Sequence, residues 1–277
     1  MQPTFYEIKK ASRNALSTRW PEAILVFASL CAVSILNSAS SALLMYLFKV
    51  ESVWSPFSPT DLPSLSVIAS ISITCFSSLF SIIITCPFLL GVLKWFWSVT
   101  GGSNAHLSEV FYFFSEGRLF RKATVWGLIM FGRIAFMAIL CFLPYIIANV
   151  LTSPTFYDKL GIDTPVFVSG LYNVVEVLKG LGIVAVAVLN ARHLIFHTVL
   201  FKIPELSAIS SVRKAIKITR REPLKLISFV FSFAGWLLLC IFIVPLIFVG
   251  PYFISSLSIY GREELRDYEN RGENKNF

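Results

Sequence analysis

The side chains best suited to chemistry in this chain are few, and most stand among apolar neighbours. His193 and His197 are four apart, so a helix would set both imidazoles on one face, a spacing that can bind zinc. No carboxylate lies between them, and His106 is the only other histidine, too few for a histidine-rich di-iron centre. Arg133, Glu176, Lys179 and Arg192 sit in otherwise apolar stretches. An ionisable group at membrane depth costs roughly 2.5–3.5 kcal/mol on insertion scales and is by default a functional candidate. Two readings stay open for these groups. In one, Arg133 and polar groups of the fourth span form a site for an anionic or zwitterionic substrate, or a proton relay. In the other they are an interhelical clamp, with Lys and Arg snorkelling to an interface. The spans hold no carboxylate pair and no Gly-x-Ser-x-Gly nucleophile, and Gly101-Gly102-Ser103 reads as a turn, not a phosphate loop. No catalytic residue, metal or cofactor is assigned, and a membrane enzyme acting on lipid or peptide is the minor alternative.

The elements that must hold these groups follow from composition. Of 277 residues, 56% are apolar and 14% charged, with a mean hydropathy of +0.72. A soluble domain carries about 25% charged residues. The shortfall excludes a soluble enzyme, a disordered chain and a disulfide-stapled secreted domain. Cys31, Cys75, Cys86, Cys141 and Cys240 all fall inside apolar runs and read as packing residues.

A bilayer crossing needs about 20 apolar residues. The expected fold is all-α and polytopic, with six transmembrane helices at about 23–48, 66–93, 124–150, 177–201, 226–243 and 246–261. The last two come from one uncharged run of 226–261, divided because Pro245 and Gly250-Pro251 can break a helix. The fourth could instead cover 166–191, which would bury Glu176 ~15 Å deep within reach of Arg133. Residues 1–265 form one membrane domain and 266–277 a polar tail. The first apolar run is read as a span and not as a cleavable signal.

Six spans send 20 of the 24 Lys and Arg to one side and only Lys49 and Lys159 to the other. The positive-inside rule makes the crowded side cytoplasmic, with both termini there. The net charge of +8 then needs no nucleic acid; its partner is the bilayer and its anionic lipids. Two segments precede spans as amphipathic helices in the headgroup plane. One carries Phe5, Ile8, Ala11, Ala15 and Leu16 on one face, with Lys9, Lys10 and Arg13 on others. The second carries Leu206, Ile209, Val212 and Ile216, ringed by Arg213, Lys214, Lys217, Arg220 and Arg221. These cations are the expected anionic-lipid contacts. With a third helix, Leu107 to Phe120, the chain parses into three units, each an interfacial helix followed by a helical hairpin.

The C-terminal third carries a recognisable series: Pro204-Glu205-Leu206-Ser207-Ala208, Ser232-Phe233-Ala234-Gly235-Trp236, Gly250-Pro251-Tyr252 and Tyr260-Gly261-Arg262-Glu263-Glu264-Leu265. Earlier pieces are Glu7-Ile8-Lys9-Lys10-Ala11 and Pro87-Phe88-Leu89-Leu90-Gly91 with Val110, Phe111 and Phe114. Together they resemble a family of bacterial integral membrane proteins known as domain-of-unknown-function family 975, most closely over 204–265. The resemblance implies a multi-span protein of the bacterial plasma membrane and favours 177–201 for the fourth span. It supplies no mechanism. Where the family has Pro-Gly in that span, this chain has Ala185-Val186. The function expected is non-enzymatic, organising or assembling with other membrane components, and the alternative is a transporter or permease subunit.

Overall fold

Local sequence explains where the first helix starts. Thr4 caps α1 (Phe5–Leu16): its hydroxyl accepts from the Glu7 amide at 3.3 Å, while the Glu7 carboxylate accepts from the Thr4 amide at 2.6 Å. These bonds also hold the Glu7 carboxyl below its usual pKa. Ile8, Ser12 and Leu16 recur at four-residue spacing and are the buried stripe.

The computed structural model describes residues 3–47, 65–152, 172–191, 193–219, 223–241 and 243–272, and among these every regular element is helical. After α1 come α2 (Trp20–Leu47), α3 (Leu65–Phe80) and α4 (Cys86–Thr100), the last two joined by a π-turn at Ser81–Thr85. Pro87 has no amide hydrogen and its ring crowds the carbonyl four residues back. The wider turn just upstream, where the Cys86 amide reaches Ser81, absorbs the mismatch without ending the helix. A 3₁₀ helix at Leu107–Phe114 leads to α5 (Gly117–Thr152), so the single helix expected from Leu107 to Phe120 is two elements. Then follow α6 (Tyr172–Ala191), α7 (Phe196–Lys202), α8 (Ala208–Thr219), α9 (Pro223–Phe231), α10 (Ala234–Leu239) and α11 (Ile243–Asn270).

Five helical stretches among the described residues are long and apolar enough to cross a membrane: Trp20–Leu47, Ser72–Thr100, Gly117–Ala148, Asn173–Asn190 and Val244–Asn270. Three sequence boundaries need correction. The fourth span does not run 177–201, because α6 stops at Ala191 and a turn at 193–195 separates it from α7. The stretch 226–243 is not one helix either: turns at 232–233 and 240–241 divide it, so that α9 and α10 together supply only a short, interrupted apolar stretch, Leu224–Trp236. The polar tail also starts later than 266, since α11 continues to Asn270 and buries Leu265 and Tyr268.

Packing is concentrated around α4. Leu90, Val92, Trp95 and Phe96 are fully buried there, against Leu16, Ala23 and Val26 on one flank and Phe113, Phe196, Phe229 and Leu257 on others. By contrast α2, α5 and α6 leave most of their apolar surface uncovered, with Leu36, Ile139 and Leu181 each well over half exposed. An all-round apolar helix exposed in this way meets lipid or another protein.

Candidate functional site

Two contacts set the register of α5 against α6–α7. Trp126 stacks on Phe196 with centroids 5.1 Å apart and planes 7° from parallel, and Gly182 packs against the Cys141 carbonyl and the Phe142 ring. The partners descend as α5 ascends, so the elements are antiparallel. That register puts Arg133 level with Asn190, and Glu176 level with Ile147. At 1.5 Å per residue, Glu176 lies ~21 Å along the hairpin from Arg133. The two do not form a site. Glu176 pairs instead with Lys179 at 3.1 Å, on a face where both side chains are substantially exposed. Arg133 is half-buried, and its Nε makes no hydrogen bond; the Asn190 Oδ1 at the same level makes none either, although Asn190 Nδ2 donates to the Val186 carbonyl. Arg192 lies outside the described residues.

The histidine pair is not presented as a helical i, i+4 face. His193 occupies the turn that ends α6, and His197 the first turn of α7. Both are buried, at 4% and 2% exposure. His197 Nδ1 meets the Leu194 carbonyl at 2.8 Å, while Nε2 makes no hydrogen bond. Burial lowers the His197 pKa from 6.5 to about 4, more than that hydrogen bond raises it. Among the described residues, no group of three His, Cys, Asp or Glu is placed to hold a metal ion.

The cations expected to touch lipid divide into two kinds. Lys10, Arg13, Arg213 and Lys217 are exposed, and Arg220 and Arg221 lie outside the described residues. Lys9 turns inward: its ammonium donates to the Ser232 carbonyl at 2.6 Å and lies 4.1 Å from the Phe233 ring centroid. It thereby satisfies a carbonyl where the chain leaves α9, a place where a cation also suits the helix dipole. Lys9 stays half-exposed, whereas Lys214 is buried, at 4% exposure, in the field of Glu269, Lys202 and Lys217. Desolvation lowers the pKa of both lysines. Helical periodicity identifies faces, but a long lysine stem can follow either one.

The residues that gather the elements are ones whose roles the sequence did not disclose. Arg262 on α11 lies over the Trp97 ring, 4.1 Å from its centroid, and donates to the Trp97 and Thr100 carbonyls at 2.8 Å each. It closes the C-terminus of α4. Arg19, just before α2, donates to the Ala105 carbonyl and to Asn104. Lys122 of α5 donates to the Pro204 carbonyl, and Lys202 pairs with Glu269 at 2.5 Å. Hence the start of α2, the end of α4, the start of α5, the end of α7 and the C-terminal half of α11 all converge. This basic, packed end is the candidate functional face.

The motifs singled out in sequence map onto the same place. Tyr260 stacks on Phe229 at 4.6 Å, Gly261 leaves room for Thr198, Glu264 pairs with Lys225 at 2.5 Å, and Leu265 is fully buried. Gly91 lets the 3₁₀ helix approach α4 so closely that a Cβ would overlap the Val110 carbonyl oxygen. Ser12 and Ser255, 2.5 Å apart, join α1 to α11.

Comparison of the chain with protein-family models, with curated proteins and with solved structures finds no match in any of the three.

Proposed function

We propose that this is a non-enzymatic multi-span protein of the bacterial plasma membrane that organises, or assembles with, other membrane components. Its basic end faces the cytoplasm and grips anionic lipid, and both termini lie on that side. The observation that carries this reading is the asymmetry of packing. One end is dense, basic and tied together by Arg262, Arg19, Lys122 and Lys202. The long apolar faces of α2, α5 and α6 are left uncovered for lipid or neighbouring helices. The membership of domain-of-unknown-function family 975 suggested by residues 204–265, the six crossings and the three-hairpin repeat belong to this proposal. The element order supports the repeat: α1 precedes α2 and α3–α4, the 3₁₀ helix precedes the antiparallel α5 and α6, and α8 precedes α9–α10 and the antiparallel α11. The sixth crossing rests on the broken pair α9–α10. Its antiparallel pairing with α11, through Lys225–Glu264, Phe229–Tyr260 and Trp236–Tyr252, returns the chain to the end it left.

The test is purification from native membrane in mild detergent, with identification of the lipids and proteins retained. Enrichment of anionic phospholipid and of defined membrane proteins is the expected result; lipid in bulk proportion with no protein retained would overturn the reading. One observation favours the transporter alternative: Arg133 Nε and Asn190 Oδ1 stand at one level of the apolar hairpin, each without a hydrogen bond. Normal folding with unchanged uptake and proton flux in Arg133→Leu would end that alternative.

A further inference from the structure

Where α4 ends, an open cleft of about 440 Å³ is lined by Lys94, Trp97, Ser98, Gly101, Ser103 and Arg262. Two of its walls are cationic, and among the described residues neither Lys94 nor Arg262 has a carboxylate in ion-pair contact. The Lys94 ammonium rests 4.4 Å from the Tyr112 ring centroid. The Arg262 guanidinium is held rigidly: stacked on Trp97, it donates to the Trp97 and Thr100 carbonyls and, at 3.5 Å, to the Thr100 hydroxyl. Those bonds use three of the five N–H groups of a guanidinium. Of the carboxylates nearby, Glu109 accepts from the Ser98 hydroxyl at 2.7 Å, and Glu263, which acts on Arg262 through its charge, pairs with Arg266. Arg19, which also pairs with Glu22 at 3.9 Å, reaches the loop beside Ser103 through its bonds to Ala105 and Asn104.

We propose that this cleft binds a phosphate group, from an anionic phospholipid headgroup or from free phosphate. A phosphate oxygen would bridge Lys94 and the remaining donors of Arg262, with an indole beside it at the depth where aromatic side chains meet headgroups. A pre-stacked guanidinium loses little side-chain freedom on binding, which suits a specific site better than a row of mobile surface lysines. The inference rests on the lipid-gripping reading and narrows it to one cleft.

The test uses the full chain in nanodiscs of phosphatidylcholine with and without phosphatidylglycerol, titrated for phosphatidylglycerol retention. Lys94→Gln should weaken retention about tenfold, beyond the fivefold, ~1 kcal/mol, of one ordinary interfacial cation, with only the small loss of stability expected from its contact with Tyr112. The double variant Arg213→Gln/Lys217→Gln, on the exposed face of α8, reports on the broader reading alone. A loss per charge removed that is larger in Lys94→Gln than in the double variant supports the site. An equal or larger loss per charge in the double variant overturns the site and leaves the lipid-gripping reading standing. Weakening in neither, or equal retention of both lipids, overturns both. Inorganic phosphate at rising concentration separates the two sources: displacement of phosphatidylglycerol supports a free-phosphate site, and no displacement supports a headgroup site.

Discussion

Arg262 covers the indole of Trp97 and also donates to its carbonyl oxygen, so one side chain on α11 fixes both the ring and the C-terminus of α4. Bonds to a charged donor contribute more than neutral ones, and leaving two helix-end carbonyls unmet costs the desolvation of each. Arg262→Ala should therefore destabilise the protein by about 2–3 kcal/mol in a denaturant titration in detergent. Arg262→Lys should lose more than half as much, because an ammonium cannot reproduce the fork that spans both carbonyls.

Glycine tolerance should follow the approach of neighbouring backbone. Gly91→Ala would set a methyl group into the Val110 carbonyl, which is backbone and cannot swing aside. A loss of about 3 kcal/mol or failure to fold is expected. Gly132→Ala and Gly180→Ala meet nothing within 4 Å and should stay within ~1 kcal/mol of the parent. Thermal melts of the three variants settle this.

Lys9 and Lys10 are adjacent in sequence and should behave differently. Lys9→Met removes the bond to the Ser232 carbonyl and the contact with Phe233, with a stability loss of roughly 1–2 kcal/mol. Lys10→Gln, at an exposed position, should leave stability within ~0.5 kcal/mol but weaken association with anionic vesicles by ~1 kcal/mol. Unfolding and vesicle co-flotation measured on both variants separate the roles.

His197 gives acid sensitivity with a definite direction. Its folded pKa of about 4 lies below the unfolded value of 6.5, so between those values the unfolded chain binds the extra proton. The stability associated with neutral His197 is complete above pH 6.5 and is lost as pH falls toward 4, by a total on the order of 3 kcal/mol. His197→Gln should flatten that part of the stability–pH curve.

The hairpin register predicts no energetic coupling between Arg133 and Glu176. A double-mutant cycle of Arg133→Gln and Glu176→Gln should give additive effects within ~0.5 kcal/mol, as expected for sites separated by ~21 Å.

What the sequence makes legible here is governed by composition and period. Long uncharged runs locate α2, α3–α4 and α5, and four-residue recurrence locates the buried stripe of α1. The end of α6 is not legible, because Leu194, Ile195 and Phe196 continue the apolar run across the turn at 193–195 that stops the helix. The break at 232–233 is hidden for a similar reason, since Phe231, Ser232 and Phe233 include neither Gly nor Pro. The candidate face was half visible. Spacing shows where cations cluster, but whether Lys9 and Lys214 point to lipid or inward depends on α9, α10 and the C-terminal half of α11. Those elements are brought in by contacts more than 200 residues apart for Lys9 and Ser12.

The central claim is that the packed basic end is the cytoplasmic face and holds both ends of the chain. Single cysteines at Ser17, Ser115 and Gly272, in a background with the five native cysteines replaced, place one exposed probe each at the end of α1, the entry to α5 and the end of α11. Labelled in intact cells with a membrane-impermeant thiol reagent, all three should stay unmodified until the membrane is opened. Modification of Gly272→Cys from outside while Ser17→Cys remains protected would contradict the account.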